Sequence, residues 1–210
     1  MKPLVIIALL IGSTLSALSQ DKVVLDKAKS DNILDKIAEK SKGIKTFESN
    51  IEQSKYLTFL GATVNMKGKI WFKQEKKIRW DYTEPNRYSI KVNNGKIAID
   101  NKLIEENYKG NESNLIYIMN NFLTGLISGD ALLNKDYVIS VLQSTTGYHV
   151  KFVPNNTDLL KIMKEMELTF SANDYILQSI SQVEASGDVI TIRLVNMKQN
   201  HNISDSVFEI

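Results

Sequence analysis

The stretch "GKIWFKQEKKIRWDYTEPNRYSIKVNNGKIAID", residues 68–100, decides the fold. Its apolar residues recur with a period of two, the signature of strands with one buried face. On the first strand Met66, Gly68, Ile70 and Phe72 share one side, and Lys67, Lys69, Trp71 and Lys73 the other. On the second, Ile78, Trp80 and Tyr82 share a side, and Arg79, Asp81 and Thr83 form an outer face expected to be solvated. The third alternates at Tyr88, Ile90 and Val92. "NNG" at 93–95 predicts a tight hairpin turn, because Asn and Gly accept positive φ. Strands apolar on one side and joined by such turns belong to an antiparallel sheet, not to a parallel α/β core.

The same period extends in both directions. "IKTFESNIEQSKYLTFLG", residues 44–61, reads as a long strand with Phe47, Ser49 and Ile51 on one side. Further strands are expected at 96–100 and 102–108, and then in "YVISVLQS", "YHVKFV", "EMELTFS", "YILQSISQVEA" and "DVITIRLVNM". The turns between these are TTG, SAND and ASGD. Helical spacing replaces the period of two in two places. "SDNILDKIAEKSKG" predicts an amphipathic helix over about 31–42, capped by Ser30 or Asp31 and ended by Gly43. Residues 111–134 carry Leu115, Ile118, Met119, Phe122 and Leu126 on a broad apolar stripe, broader than a one-sided surface helix requires. Residues 20–30 are polar and expected to be loose. The class is α+β, mainly β.

Ahead of this lies "MKPLVIIALLIGSTLSALSQD". One lysine precedes a short apolar run, and Ala17 and Ser19 stand at the −3 and −1 positions of a secretory signal peptide, residues 1–19. The run is too short to cross a bilayer, which takes roughly 20 residues. About 190 residues remain as a single domain, 20–210, large enough for a sizeable core. The formal charge is +2 and falls to +1 when Lys2 leaves, which argues against a nucleic-acid partner. The chain has no cysteine, which excludes disulfides, thiol catalysis, zinc–thiolate sites and lipidation on cysteine.

No catalytic or metal-binding motif stands out. His149 falls on the polar side of its strand and His201 in the polar run "KQNHN", and both are expected to be solvated. Glu75, Asp81 and Glu84 are interleaved with Lys76, Lys77 and Arg79, as on any charged sheet face. The reading is therefore not an enzyme, with no cofactor and no metal. An apolar sheet face must be covered by something. If the helices pack down on it, the aromatic face is core. If they stand off, the gap is a lined cavity. Periodicity leaves both open.

Residues 68–100 resemble the central block of the LolA family of periplasmic outer-membrane lipoprotein carriers. The resemblance rests on Gly68, the aromatics Trp71 and Phe72, Lys73, a second aromatic strand with Trp80 and Tyr82, the turn at Pro85 and the hairpin at Gly95. "IKTFESNIEQ" is similar to the family's first strand through Phe47 and Gln53, with Ile51 where an aromatic is usual. "LVNMKQNHNISDSVF" is similar to its closing segment, ending in Phe208. The resemblance implies an incomplete antiparallel β-barrel with a helical lid over an apolar cavity. That cavity would take the acyl chains of lipoproteins, received from an inner-membrane ABC release complex and delivered to the outer membrane or a receptor there. The implied wall is Phe47, Ile51, Met66, Ile70, Phe72, Ile78, Trp80 and Tyr82, and the implied lid is Leu115, Ile118, Met119, Phe122 and Leu126. The family's lid-closing Arg, usually followed by Pro, is matched here by Gln74 and Glu75. Gln74 shares the parity of Phe72, so it is the expected lid-control residue: either the lid closes more weakly, or Arg79 or Arg87 takes over, with Arg79 standing on the opposite parity. The carrier is expected to be periplasmic and monomeric; the alternatives are a carrier or sensor of another lipid, such as a glycolipid or lipidic precursor, on the same scaffold, and a non-carrier interaction module with a solid core.

Overall fold

The computed structural model describes residues 22–74, 76–100, 102–104, 125 and 135–210. Twelve strands form one antiparallel sheet among these residues: β1 (Val23–Val24), β2 (Thr46–Leu57), β3 (Ala62–Lys73), β4 (Lys77–Glu84), β5 (Tyr88–Asn93), β6 (Lys96–Ile99), β7 (Lys102–Ile104), β8 (Tyr137–Gln143), β9 (Gly147–Pro154), β10 (Met163–Ser171), β11 (Leu177–Glu184) and β12 (Val189–Gln199). Their order across the sheet is β1-β8-β9-β10-β11-β12-β2-β3-β4-β5-β6-β7. Two meanders, β2–β7 and β8–β12, are thus joined where β12 pairs with β2. The end strands β1 and β7 do not pair with each other, so the sheet is open, an unclosed barrel.

The expected hairpins form where the turn chemistry asks for them. Asn93 and Lys96 close the β5–β6 hairpin, and Asn94 and Gly95 between them take φ of 50° and 85°. Both central residues of a type I′ turn require positive φ, which matches the right-handed twist of the flanking strands. Gly68 is required for a different reason. A Cβ there would press into the Asp81 carbonyl, where β3 and β4 shift register.

Registers put the apolar parities of neighbouring strands on one face. Phe47 faces Phe72, and Phe72 faces Ile78; Ser49, Ile70 and Trp80 line up beside them. Across the other half, Phe152, Met166 and Gln182 are aligned, as are Val150, Leu168, Ile180 and Ile192. This inner face holds most of the core, and Ile33 and Ile37 of helix α1 (Lys27–Lys42) pack into the same cluster.

Helix α1 begins four residues before the expected start at 31. Asp26, not Ser30 or Asp31, is the cap, and its carboxylate accepts from the Lys29 N–H at 2.9 Å. The first turn is polar and lysine-rich, so an apolar stripe could not reveal it. Residues 22–30 are not loose. β1 pairs with β8, and the Leu25 N–H donates to the Val141 carbonyl. The helix ends at Gly43 as expected, and the Asn200 side chain bonds the Gly43 carbonyl. A four-residue helix, α2 (Thr157–Leu160), links β9 to β10.

The outer face of β3–β5 is not the solvated surface expected from its charges. A 3-10 turn at Asp205–Phe208 lies over it, with Phe208 fully buried. Arg79 grips Asp81 through two nitrogens at 2.7 Å and donates to the Val207 carbonyl at 3.1 Å. Lys73 and Lys77 both reach Asp205. They hold its carboxyl below the usual carboxylate range, Lys73 first. Arg79 and Asp81 are therefore half-buried anchors. Of the strand expected at 102–108, Lys102–Ile104 is β7; the remainder, and the helix expected over 111–134 except Gly125, lie outside the described residues.

Candidate functional site

The inner face is the candidate site. Phe47, Ile51, Ile70, Phe72, Ile78, Trp80 and Tyr82 are all buried on it, and Met66 packs half-buried against them. Parity brings these eight wall residues together in space. The Phe47 and Phe72 rings stack at 5.3 Å between centroids, close to where α1 hands the chain to β2. Leu115, Ile118, Met119, Phe122 and Leu126 lie outside the described residues, as does Glu75.

The face is apolar at one rim and polar at the other. Towards α1 lie Phe47, Phe72 and Ile37. Towards the β2–β3 and β11–β12 turns lie Gln53, Lys55, Gln182 and Glu184, all on the apolar parity of their strands. Lys55 and Glu184 form an ion pair at 3.1 Å. Tyr82 donates to the Gln53 carbonyl oxygen at 2.7 Å, and its ring stacks on Tyr88 at 4.5 Å. Burial, then the neighbouring Tyr88, pushes the Tyr82 phenol far above its ordinary range, so it stays a neutral donor. Among the described residues the Gln53 amide nitrogen donates to the Met66 sulfur, at 4.0 Å. Gln182 is 3% exposed, and among the described residues neither of its amide atoms has a partner.

This polar rim escaped the sequence reading, which named no site residue in β8–β12. A signal was present. Gln182 stands on the parity of Ile180, and Gln53 on that of Ile51, where a purely structural core would carry apolar residues.

Gln74 lies just past β3, and its side-chain nitrogen donates to the Ile44 carbonyl at 3.4 Å. Its backbone N–H donates to the Lys45 carbonyl at 2.8 Å. Among the described residues it therefore ties β3 to the α1–β2 connection. A cleft of about 490 Å³ opens beside the end of α1, lined by polar residues including Lys36, Glu39 and Asn200, with Lys36 lying over the Tyr175 ring. It sits at the apolar rim's outer edge.

The histidines differ from expectation. His149 does lie on the outer face, but it is buried there. Its Nε2 is 2.9 Å from the Ser144 hydroxyl, and its Nδ1 is 3.2 Å from both Glu167 and Thr169. Lys22, leading into β1, reaches Glu167 at 2.6 Å and helps to cover the ring. Desolvation, then the Lys22 charge, lowers the His149 pKa, and Glu167 opposes this. His201 is half-buried near Glu48 at 3.7 Å. Among the described residues, no group of three or more histidines and carboxylates is placed to hold a metal ion. No helix among them is long and apolar enough to cross a membrane.

Comparison with known proteins adds the following. The family model described as outer membrane lipoprotein carrier protein LolA matches residues 7–210. Among solved structures, the chain is similar to the LolA superfamily protein NE2245 from Nitrosomonas europaea, at 12% identity, with 86% of this chain and 97% of that one covered and a TM-score of 0.44. It is similar to an outer membrane lipoprotein-sorting protein domain from Vibrio parahaemolyticus, at 8% identity, 87% and 97% coverage and a TM-score of 0.45. It is also similar to a chain of the Pseudomonas aeruginosa MucA/MucB complex, at 9% identity, 87% and 61% coverage and a TM-score of 0.45. No curated protein matches the sequence.

Proposed function

The chain belongs to the LolA family of outer membrane lipoprotein carrier proteins, and on that premise we propose that it carries lipidated proteins through the periplasm with their acyl chains on its inner face. Residues 1–19 serve as the export signal and 20–210 as one carrier domain. The observation that supports this most is the family match across nearly the whole chain, together with a continuous apolar face on an open sheet.

The energetics suit such a task. Each buried methylene is worth about 0.8 kcal/mol, so one long acyl chain gains roughly 10 kcal/mol on leaving water. A lipoprotein with several chains does not cross water unaided. Its carrier must shelter that surface and then give it up. An open sheet covered on one face by helices does both, because the helices occupy the apolar face when it is empty and are displaced by cargo. The wall is Phe47, Ile51, Met66, Ile70, Phe72, Ile78, Trp80 and Tyr82, and the lid is the stripe at Leu115, Ile118, Met119, Phe122 and Leu126. Gln74 replaces a charged guanidinium with a neutral amide, and charge-assisted bonds are roughly twice as strong. Lid closure here is correspondingly weaker. The partners are an inner-membrane ABC release complex and an acceptor at the outer membrane. The work involves no bond-making chemistry.

Spheroplasts of the source cell, incubated with purified protein lacking residues 1–19, provide the test. Labelled lipoproteins should appear in the supernatant in complex with it. Their absence overturns the proposal. Mass spectrometry of the recovered complex identifies the cargo: acylated peptide supports the reading, whereas free lipid alone assigns the scaffold to another lipid.

A further inference from the structure

We propose that Gln182 is the centre of a polar subsite within the apolar inner face, one that hydrogen-bonds the ester and amide carbonyls where the acyl chains of a cargo lipid converge. The proposal rests on the carrier reading above and specifies how the ligand is oriented on that face.

Gln182 lies on β11 between Met166 of β10 and Ile190 of β12. It is 3% exposed, and among the described residues both its amide nitrogen and its amide oxygen lack partners. A primary amide offers two donors and an acceptor, and burying these unpaired destabilises a fold. Leu or Met would fill the same space without that penalty. An amide kept there at a cost to stability is the kind of group that gains its partners from a ligand.

A second observation points to the same ligand. Gln53, two strands away on β2 and two residues out of register, so about 12 Å distant along the backbone, spends its oxygen on the Tyr82 hydroxyl. Among the described residues its nitrogen donates to the Met66 thioether, a weak acceptor. Among the described residues the inner face therefore presents two glutamine amides whose N–H groups have no oxygen to bond. Carbonyl oxygens are the complement. The free Gln182 oxygen adds a need for one N–H, which an N-acyl amide or a peptide N–H supplies and a glycerol ester does not. A diacylglyceryl-modified peptide carries both kinds of group within a few ångströms of where its chains diverge.

Position on the face sets the direction. The glutamines lie towards the rim closed by the Lys55–Glu184 ion pair, and the Phe47–Phe72 stack lies towards the opposite rim. Carbonyls held at Gln182 and Gln53 direct the acyl tails towards Phe47 and Phe72. They leave the peptide to emerge beside Lys55 and Glu184.

The experiment compares two probes on the mature chain and on Gln182→Met and Gln182→Leu. One is a synthetic lipopeptide bearing a dipalmitoylglyceryl group on its N-terminal residue. The other is a pyrene-labelled long-chain alkane without any carbonyl. Replacing Gln182 should weaken lipopeptide binding about 5- to 20-fold and leave alkane binding within about twofold. The melting temperature of the empty variant should rise by about 2–6 °C. Equal binding of the lipopeptide by wild type and variant overturns the subsite and leaves the carrier reading intact. Equal loss for both probes, or a lower melting temperature in both variants, also overturns it by assigning Gln182 to packing. Failure of the wild type to bind either probe overturns both readings together.

Discussion

His149 shows how a single residue can sit on the side its parity dictates and still behave differently from its neighbours. It occupies the outer face, where strand alternation puts it, but Lys22, Ser144, Glu167 and Thr169 close around the ring. The native state therefore keeps it neutral below its ordinary pKa of 6.5. An unfolded chain takes up a proton on this ring below that pH while the native one resists, so the His149 contribution to stability is complete above 6.5. It declines as pH falls towards the depressed native value. Thermal melts from pH 7.5 to 5.5 should show a steeper loss of stability in wild type than in His149→Gln; parallel slopes would remove His149 as the cause. Sequence parity locates His149 and Trp80 on their faces, because alternation is a local property of the backbone. It does not supply their burial, since much of what covers them comes from other strands, as Glu167 and Lys22 do for the His149 ring.

Among the elements, the sheet strands were legible and the coverings were not. Every strand from β2 to β6 and from β8 to β12 follows from period two and turn chemistry. The start of α1 gives no periodic signal because Asp26 caps a first turn whose one apolar residue is the small Ala28, and β1 gives none because two residues carry no period. The C-terminal turn over β3–β5 reads as polar sequence, yet Phe208 inside it is fully buried while its flanks latch to Arg79, Asn93 and Lys91. The β2–β3 turn is its opposite, an apolar sequence left outside: Phe59 is 97% exposed and Leu60 65%. Two substitutions separate these cases in urea denaturation. Phe208→Ala should cost about 3–5 kcal/mol through loss of a packed ring. Phe59→Ser should change stability by no more than about 0.5 kcal/mol. A large loss at Phe59 would mean that its ring packs in solution, and a small one at Phe208 that the turn contributes little to the sheet.

At the scale of the whole molecule, alternation identifies strands but not their partners. The hairpin-linked pairs followed from short turns, whereas β12 against β2 could be read only in the structure, because it joins segments about 140 residues apart, with Leu194 opposite Ile51. Ser49 fastens that seam by donating to the Val195 carbonyl at 3.0 Å, next to a bulge where Asn196 takes a φ of 56°. A chain ending at Asp188 lacks β12 and should lose its cooperative urea transition altogether, as circular dichroism would report; a surviving sharp transition would show that either meander folds alone. The same seam has a temporal meaning. Pairings this distant in sequence are slow to form, and here the last long strand must arrive before the two halves share a sheet. Until β12 has been made and has reached β2, the chain lacks the strand that commits its two meanders to one sheet.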